Sequence, residues 1–365
     1  MSIEHPSKTV RSICTLAALL AFAISPAIHA ASDTYQQHNL VSDGSAPADN
    51  TDPNLVNAWG IAFNPFAVAW VAANGTGNST LYDGTGKPQS LVVKIPTAAN
   101  TNGKGSPTGI VFSGATTGFE VSKGSVSAPS RFIFATEDGT ISGWAPTVDQ
   151  TNAVRMVDNS ANGAVYKGLA LSASGNGALL YAADFHNNKI DVFDSSFKPV
   201  SQTAGAFTDP NLPAGFAPFN VQAINGEIYV AYAKQDADRH DEVAGAGLGY
   251  VDVFDPSGKL IKRVASQGAL NAPWGMVVAP AGFGKFSGRL LIGNFGDGTI
   301  NAYDLATGEA VGTLTGTNQQ PIRIQGLWGL AFGNGFANQS VNSLFFAAGP
   351  GDEQHGLYGR IDVAQ

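Results

Sequence analysis

Trp274-Gly275-Met276-Val277-Val278 returns 54 residues later as Trp328-Gly329-Leu330-Ala331-Phe332. An aromatic residue, a glycine and a short apolar run form a strand opening, and its recurrence marks a repeat. Working outward, the same opening is found as Trp59-Gly60-Ile61-Ala62-Phe63, Thr108-Gly109-Ile110-Val111-Phe112, Lys167-Gly168-Leu169-Ala170-Leu171 and Phe219-Asn220-Val221-Gln222-Ala223. The anchors at 60, 109, 168, 220, 275 and 329 stand 49, 59, 52, 55 and 54 residues apart. That period suits one four-stranded propeller blade, at the long end of a usual range of roughly 40 to 50 residues.

Each opening is followed by a second apolar strand, a polar loop, and a third strand ending in Asp. The second strand is read at 69–73, 131–136, 179–183, 227–233, 289–294 and 343–348. The third is clearest at Lys189-Ile190-Asp191-Val192-Phe193-Asp194 and Gly249-Tyr250-Val251-Asp252-Val253-Phe254-Asp255, where apolar and polar residues alternate as in a half-buried strand. Asp255-Pro256-Ser257-Gly258 then has the residue order of a type I turn. Fourth strands follow at 91–95 and 259–263, but the last repeat stops at Gln365 without one. Tyr35-Gln36-Gln37-His38-Asn39-Leu40-Val41 is a spare strand, and pairing it with the last blade closes a ring and removes an exposed edge. The chain is therefore expected to be an all-β, six-bladed β-propeller whose N-terminal strand closes the last blade.

Composition agrees with many short strands and tight turns. There are 44 Gly and 19 Pro, with 13% charged and 44% hydrophobic residues. The net charge of -8 and the lack of basic clusters exclude a nucleic-acid partner. Residues 1–30 read as a signal peptide: Lys8 and Arg11 form the basic region, 13–24 the apolar stretch, and Ala27-Ile28-His29-Ala30 the cleavage site. Cleavage removes Cys14, the single cysteine, and leaves a β-propeller domain of 31–365 with no disulfide and no membrane attachment. A secreted or periplasmic location is expected. Two insertions stand out, 113–130 and 235–247, the second dense in charge with Asp236, Asp238, Arg239, His240, Asp241 and Glu242.

The runs Arg131-Phe132-Ile133-Phe134-Ala135-Thr136-Glu137-Asp138-Gly139-Thr140-Ile141-Ser142-Gly143-Trp144, Tyr232-Ala233-Lys234-Gln235-Asp236-Ala237-Asp238, Asn271-Ala272-Pro273-Trp274-Gly275 and Gly293-Asn294-Phe295-Gly296-Asp297-Gly298 carry a resemblance over essentially the whole mature chain. The chain resembles an uncharacterised family of exported bacterial six-bladed propellers, similar to NHL repeats. Some members carry a PEP-type C-terminal sorting tail, which this chain lacks. The resemblance implies the fold and export, and no activity.

Second-to-third-strand loops and the starts of inner strands share one face of a propeller. Trp59, Phe219, Trp274 and Trp328 precede the inner-strand Gly or Asn, where they either line the mouth of an axial tunnel as ligand-binding residues or pack between blades. His186, His240 and His355 fall in second-to-third loops of blades 3, 4 and 6, and three imidazoles converging on the axis suit Zn²⁺, with Asp184 as a further ligand. Peptidylglycine amidating lyase is similar in taking histidine ligands from such loops. Asn74, Glu137, Asp138, Asn187, Asn294, Asp297, Asp352 and Glu353 stand nearby, and Glu137, Asn294 and Asp352 with Asp184 suit Ca²⁺, as in gluconolactonase- and paraoxonase-like propellers. The bland alternative is a polar loop face holding no metal. Two functions follow: a module binding a small molecule, glycan or protein at this face, or a metal-dependent hydrolase or lyase working there. No nucleophile elbow, phosphate loop or zincin pattern is present.

Overall fold

Each blade is an antiparallel sheet that buries both faces, so its strands must be apolar on both sides. The computed structural model describes residues 1–3, 34–174 and 177–364; the signal-peptide reading of 1–30 lies, apart from its first three residues, outside them. Blade 1 is built from Ala58–Phe63, Ala69–Ala73, Asn78–Tyr82 and Val93–Lys94, and blade 2 from Pro107–Phe112, Phe132–Thr136, Thr140–Trp144 and Val154–Asp158. Blade 3 has the three strands Tyr166–Ser174, Gly177–Asp184 and Lys189–Phe193. Blade 4 comprises Phe216–Ile224, Glu227–Lys234, Tyr250–Phe254 and Leu260–Ser266, and blade 5 comprises Pro273–Val278, Leu290–Asn294, Ile300–Tyr303 and Ala310–Thr313. Blade 6 takes Leu327–Phe332, Leu344–Ala348 and Leu357–Val363, its fourth strand is Tyr35–Ser42, and the two-residue strand Asn50–Thr51 pairs in parallel with the outer side of that strand.

Closure is as expected from the leftover strand. Tyr35 pairs with Val363, Gln37 with Ile361 and Ser42 with Leu357, antiparallel along the whole strand. The Tyr35 hydroxyl also donates to the Phe283 carbonyl at 3.1 Å, and its ring stacks on Phe286, so the N-terminal strand is fastened to blade 5 as well. The 113–130 insertion forms a small hairpin, Glu120–Lys123 with Val126–Pro129.

Period-two alternation sends neighbouring residues of one strand into different interblade cores. Phe132 and Phe134 pack against blade 1, with Trp70 and Leu81, whereas Ile133 and Ala135 pack against blade 3, with Leu180 and Ala182. Ile228 and Val230 face blade 3, while Tyr229 and Ala231 face blade 5. Among the alternating third strands, Lys189–Phe193 is half-buried as expected, with Lys189 exposed and Asp191 partly so, but those of blades 4 and 5 are buried throughout. Asp252 and Asn301 occupy their polar positions but are fully buried between blades. Asn301 is satisfied by Thr313 and the Ala269 carbonyl, whereas Asp252 accepts from Arg263 Nε at 3.0 Å through Oδ1 and its Oδ2 has no hydrogen-bond partner among the described residues.

The repeated glycine has a steric cause. A Cβ on Gly60 would lie 2.6 Å from the Thr108 carbonyl oxygen, one on Gly275 2.6 Å from that of Trp328, and one on Gly329 2.4 Å from that of Trp59. Each inner strand thus meets the backbone of the next blade at the same level around the ring. Blade 4 has Asn220 there instead, and its side-chain amide donates to the Trp274 carbonyl at 2.7 Å.

Candidate functional site

The residue before each of these glycines sits in a β-bulge. Register shifts fall between Ala58 and Ile61, Tyr166 and Gly168, Pro218 and Asn220, Pro273 and Met276, and Leu327 and Leu330, and blade 2 has one opposite Ala135. A bulge re-aims the side chain it carries. Here Trp59, Phe219, Trp274 and Trp328 meet one another in a single buried cluster with Phe185 and Phe295. Trp59 and Trp328 stack with centroids 3.4 Å apart, and Trp274 stands edge-on to both at 5.8 and 5.9 Å. The four aromatic residues therefore pack against one another from blades 1, 4, 5 and 6 instead of lining an open mouth. They come from the inner strands of four blades and meet at the axis as one buried cluster.

The fifth and sixth bulge residues are Thr108 and Lys167. Thr108 is absorbed by the backbone, donating to the Tyr166 carbonyl at 2.6 Å. Lys167 is a lysine only 1% exposed, in a layer where four of the six bulge residues are aromatic. Its ammonium donates to Glu137 Oε1 at 2.6 Å and Asp241 Oδ1 at 3.0 Å, and lies 5.3 Å from the Trp59 ring centroid. Its backbone carbonyl accepts the Trp274 indole N–H at 3.0 Å. Such a buried ammonium is tolerable only when paired and hydrogen-bonded.

The network extends through five blades. Asn74 Nδ2 donates to Glu137 Oε2 at 2.7 Å, and Asn57 Nδ2 to Glu353 Oε2 at 2.6 Å. Asn57 in turn accepts the Trp328 indole N–H at 3.2 Å, so the aromatic layer and the polar layer share hydrogen bonds. Asn57 adopts φ +48, a left-handed conformation that Asn tolerates better than most residues. His240 Nδ1 lies 2.9 Å from Asp241 Oδ1. Asp241 and Glu242 come from the charged 235–249 loop of blade 4, which folds on itself through Asp236 N–H to the Asp241 carbonyl and His240 N–H to Asp236 Oδ1.

Charge in this cluster is unbalanced. Burial by itself lowers the Lys167 pKa, but the fields of Glu137, Glu242 and Asp241 outweigh it and hold the ammonium above its ordinary value. Burial pushes the Glu242 carboxyl up to about 8, only partly offset by Lys167. Burial likewise raises Glu353, against its hydrogen bond from Asn57. The hydrogen bond with His240 leads in holding Asp241 below the usual carboxylate range, and the same bond raises His240.

The other expected ligands are placed elsewhere. Among the described residues, the set of three His, Asp or Glu side chains whose ligand atoms lie within 4.8 Å of one another is Glu137, His240 and Asp241. His186 and His355 are not part of it, so the three histidines do not converge. His355 turns to Asp43, 3.0 Å away, and His186 stands beside Gly163 after blade 2. His186 and His355 are thus held by other loops, while His240 stays beside Glu137 and Asp241. Asp184 is buried at the end of its strand, accepting from the backbone of Val165 and Asn187, and burial raises its pKa. Asn294 fastens its own turn through Ala269, Asp297 and Thr299. Asp352 is exposed, while its neighbour Glu353 enters the network. Of the oxygen set, Glu137 alone is central. Lys167 and Asn57 were not singled out from the sequence; the signal for Lys167 was a charge at the repeat position where other blades carry tryptophan.

No helix among the described residues is long and apolar enough to cross a membrane. No protein-family model matches the chain. Its sequence is 33% identical over 369 residues to uncharacterized protein R648 of Acanthamoeba polyphaga mimivirus, covering 98% of this chain and 88% of that one. Protein L690 of the same virus is 32% identical over 336 residues, covering 90% and 86%. In structure the chain is similar to a catalytically inactive virginiamycin B lyase of Staphylococcus aureus with quinupristin. The TM-score is 0.50 at 12% identity, covering 91% of this chain and 99% of that one, a likeness of fold. The chain is a six-bladed β-propeller and belongs to the same family as the mimivirus proteins R648 and L690.

Proposed function

We propose that this propeller is an exported binding module that receives a small cationic ligand at its second-to-third-loop face, over the Lys167 network. The observation that carries this reading is the imbalance around one buried ammonium: Glu137, Asp241, Glu242 and Glu353 all act on Lys167, which neutralises only one of them. Surplus carboxylates in a partly buried place either hold protons or attract a positive group, and perturbed titration in such a place favours a functional role. The leader-like pattern of residues 1–30 and the resemblance to NHL-like bacterial propellers support export.

A metal-dependent hydrolase or lyase is the second reading, and the grouping of Glu137, His240 and Asp241 favours it. These side chains suit a zinc ion chemically. The Lys167 ammonium, however, already bonds the same two carboxylates, standing where the ion would sit. An ion would have to displace it.

Thermal-shift titration separates the two. Primary amines such as putrescine are expected to raise the melting temperature, and Glu242→Gln to weaken that response. Stoichiometric Zn²⁺ or Ca²⁺ binding that is lost in His240→Ala, with no response to amines, supports the metal enzyme instead.

A further inference from the structure

Beneath the aromatic layer the axis opens again toward the other end of the molecule. Two adjoining cavities of about 300 and 280 Å³ share Ile61, Ile110, Gln222 and Ala331 in their walls. Trp274 closes the inner end, and Phe63, Phe112 and Phe332 stand at the outer one. No charged side chain lines either cavity. The polar side chains are Asn220 and Gln222, both from blade 4. Asn220 is committed, donating to the Trp274 carbonyl and accepting the Val221 N–H at 2.8 Å. Gln222 is exposed and makes no side-chain hydrogen bond among the described residues. The remaining polar surface is backbone, because each inner strand pairs on one side only and turns its free edge to the axis.

We propose that this dead-end channel is a second binding site, separate from the Lys167 face, for a small neutral ligand with an apolar body and one N–H, hydroxyl or carbonyl group that meets Gln222. Each part of that description comes from the walls. An ion would enter without a counter-charge, which low-dielectric surroundings penalise heavily. Aliphatic side chains from all six blades supply an apolar wall, and the free Gln222 amide supplies one donor pair and one acceptor. The volume is at the lower end of ligand cavities, roughly 300 to 1,000 Å³, so the ligand is small. Entry is from the end that bears the first-to-second-strand hairpins. Exposed apolar residues gather there: Phe66 is 82% exposed, Val341 51% and Phe336 46%. The hairpins carrying Phe66 and Phe336 are tied together by Asn334 Nδ2, which donates to the Asn64 and Ala67 carbonyls at 2.6 and 2.8 Å.

The probe is N-phenyl-1-naphthylamine, a neutral apolar amine that fluoresces in apolar surroundings and accepts energy from tryptophan. The full chain is expected to bind it saturably at one site, with quenching of tryptophan emission because Trp274 ends the channel. Ala331→Trp fills the channel and should weaken binding by more than about tenfold. Gln222→Leu should weaken it by about threefold, the loss of one hydrogen bond. Gln222→Glu, a change at an exposed side chain that leaves folding intact, should weaken it more at pH 8 than at pH 4, where the new carboxyl is neutral. Absence of saturable binding overturns the proposal, and so does equal affinity in wild type, Ala331→Trp and Gln222→Glu. If Ala331→Trp does not fold, the Gln222→Glu pair of measurements decides alone.

Discussion

The Lys167 ammonium on the inner strand of blade 3 lies 2.6 Å from the Glu137 carboxylate, one residue past the second strand of blade 2. This ion pair joins two blades at the axis, beneath a loop from a third, and it shapes what can be measured there.

Replacing Lys167 by methionine keeps the bulk but leaves Glu137 without its partner. Removing one member of a buried pair costs about 3 to 5 kcal/mol, and Lys167→Met should lower stability by that order in urea unfolding. The double variant Lys167→Met with Glu137→Gln should recover part of the loss, since no uncompensated charge remains. A double variant as unstable as the single one would mean that the lysine acts through its packing.

Stability should fall as pH rises across the neutral range. The Glu242 carboxyl titrates at about 8 in the folded protein against an ordinary 4.5, so the folded state holds a proton that the unfolded state has released. Its contribution is complete below about 4.5 and is lost as pH rises toward 8. Asp252, raised by burial to about 7, acts in the same direction from about 3.8 upward. Asp241 is lowered and its contribution changes only in acid, so it is silent here. Denaturant unfolding at pH 5, 6, 7 and 8 should show the decline, and Glu242→Gln should flatten it. A slope unchanged in Glu242→Gln would assign the effect elsewhere.

Deleting residues 34–42 should expose the edge of Leu357–Val363 and remove Tyr35 from the core it shares with Phe283 and Phe286. Loss of the cooperative melt, with aggregates in size-exclusion chromatography, is the expected outcome. A truncated chain melting like the intact one would contradict closure by this strand.

Gly329→Ala should destabilise by about 1 to 3 kcal/mol, because the added carbon meets a backbone oxygen that cannot swing away. Asn220→Gly, at the equivalent position of blade 4, should cost only about 1 kcal/mol for its lost hydrogen bond. Thermal or urea unfolding of the two variants gives the comparison directly.

Much of the site's raw material was visible without a structure. Glu137, Asn74 and Glu353 were recognisable as polar residues standing beside the loop histidines, and the 235–247 insertion as an unusual concentration of charge. The histidines misled because loop membership says which end of the propeller a residue occupies, not how far from the axis its ring lies. His355 is captured by Asp43 of the N-terminal segment, a residue 312 positions away. Lys167 was overlooked because, within its own repeat, it looks like one more strand residue.

The sequence by itself determined the number of blades, their order and the source of the closing strand. Those follow from local patterns: an apolar strand opening every fifty-odd residues, turn residues between strands, and a strand left over at one end. The tertiary structure decided which residues meet at the axis. Each bulge turns a single side chain inward, and six such side chains from distant parts of the chain must then share one narrow space. Three tryptophans and a phenylalanine filled it, and the single lysine among them was stabilised only by carboxylates that other blades brought within 3.0 Å. No local pattern encodes that encounter, because it depends on the radius of the closed ring.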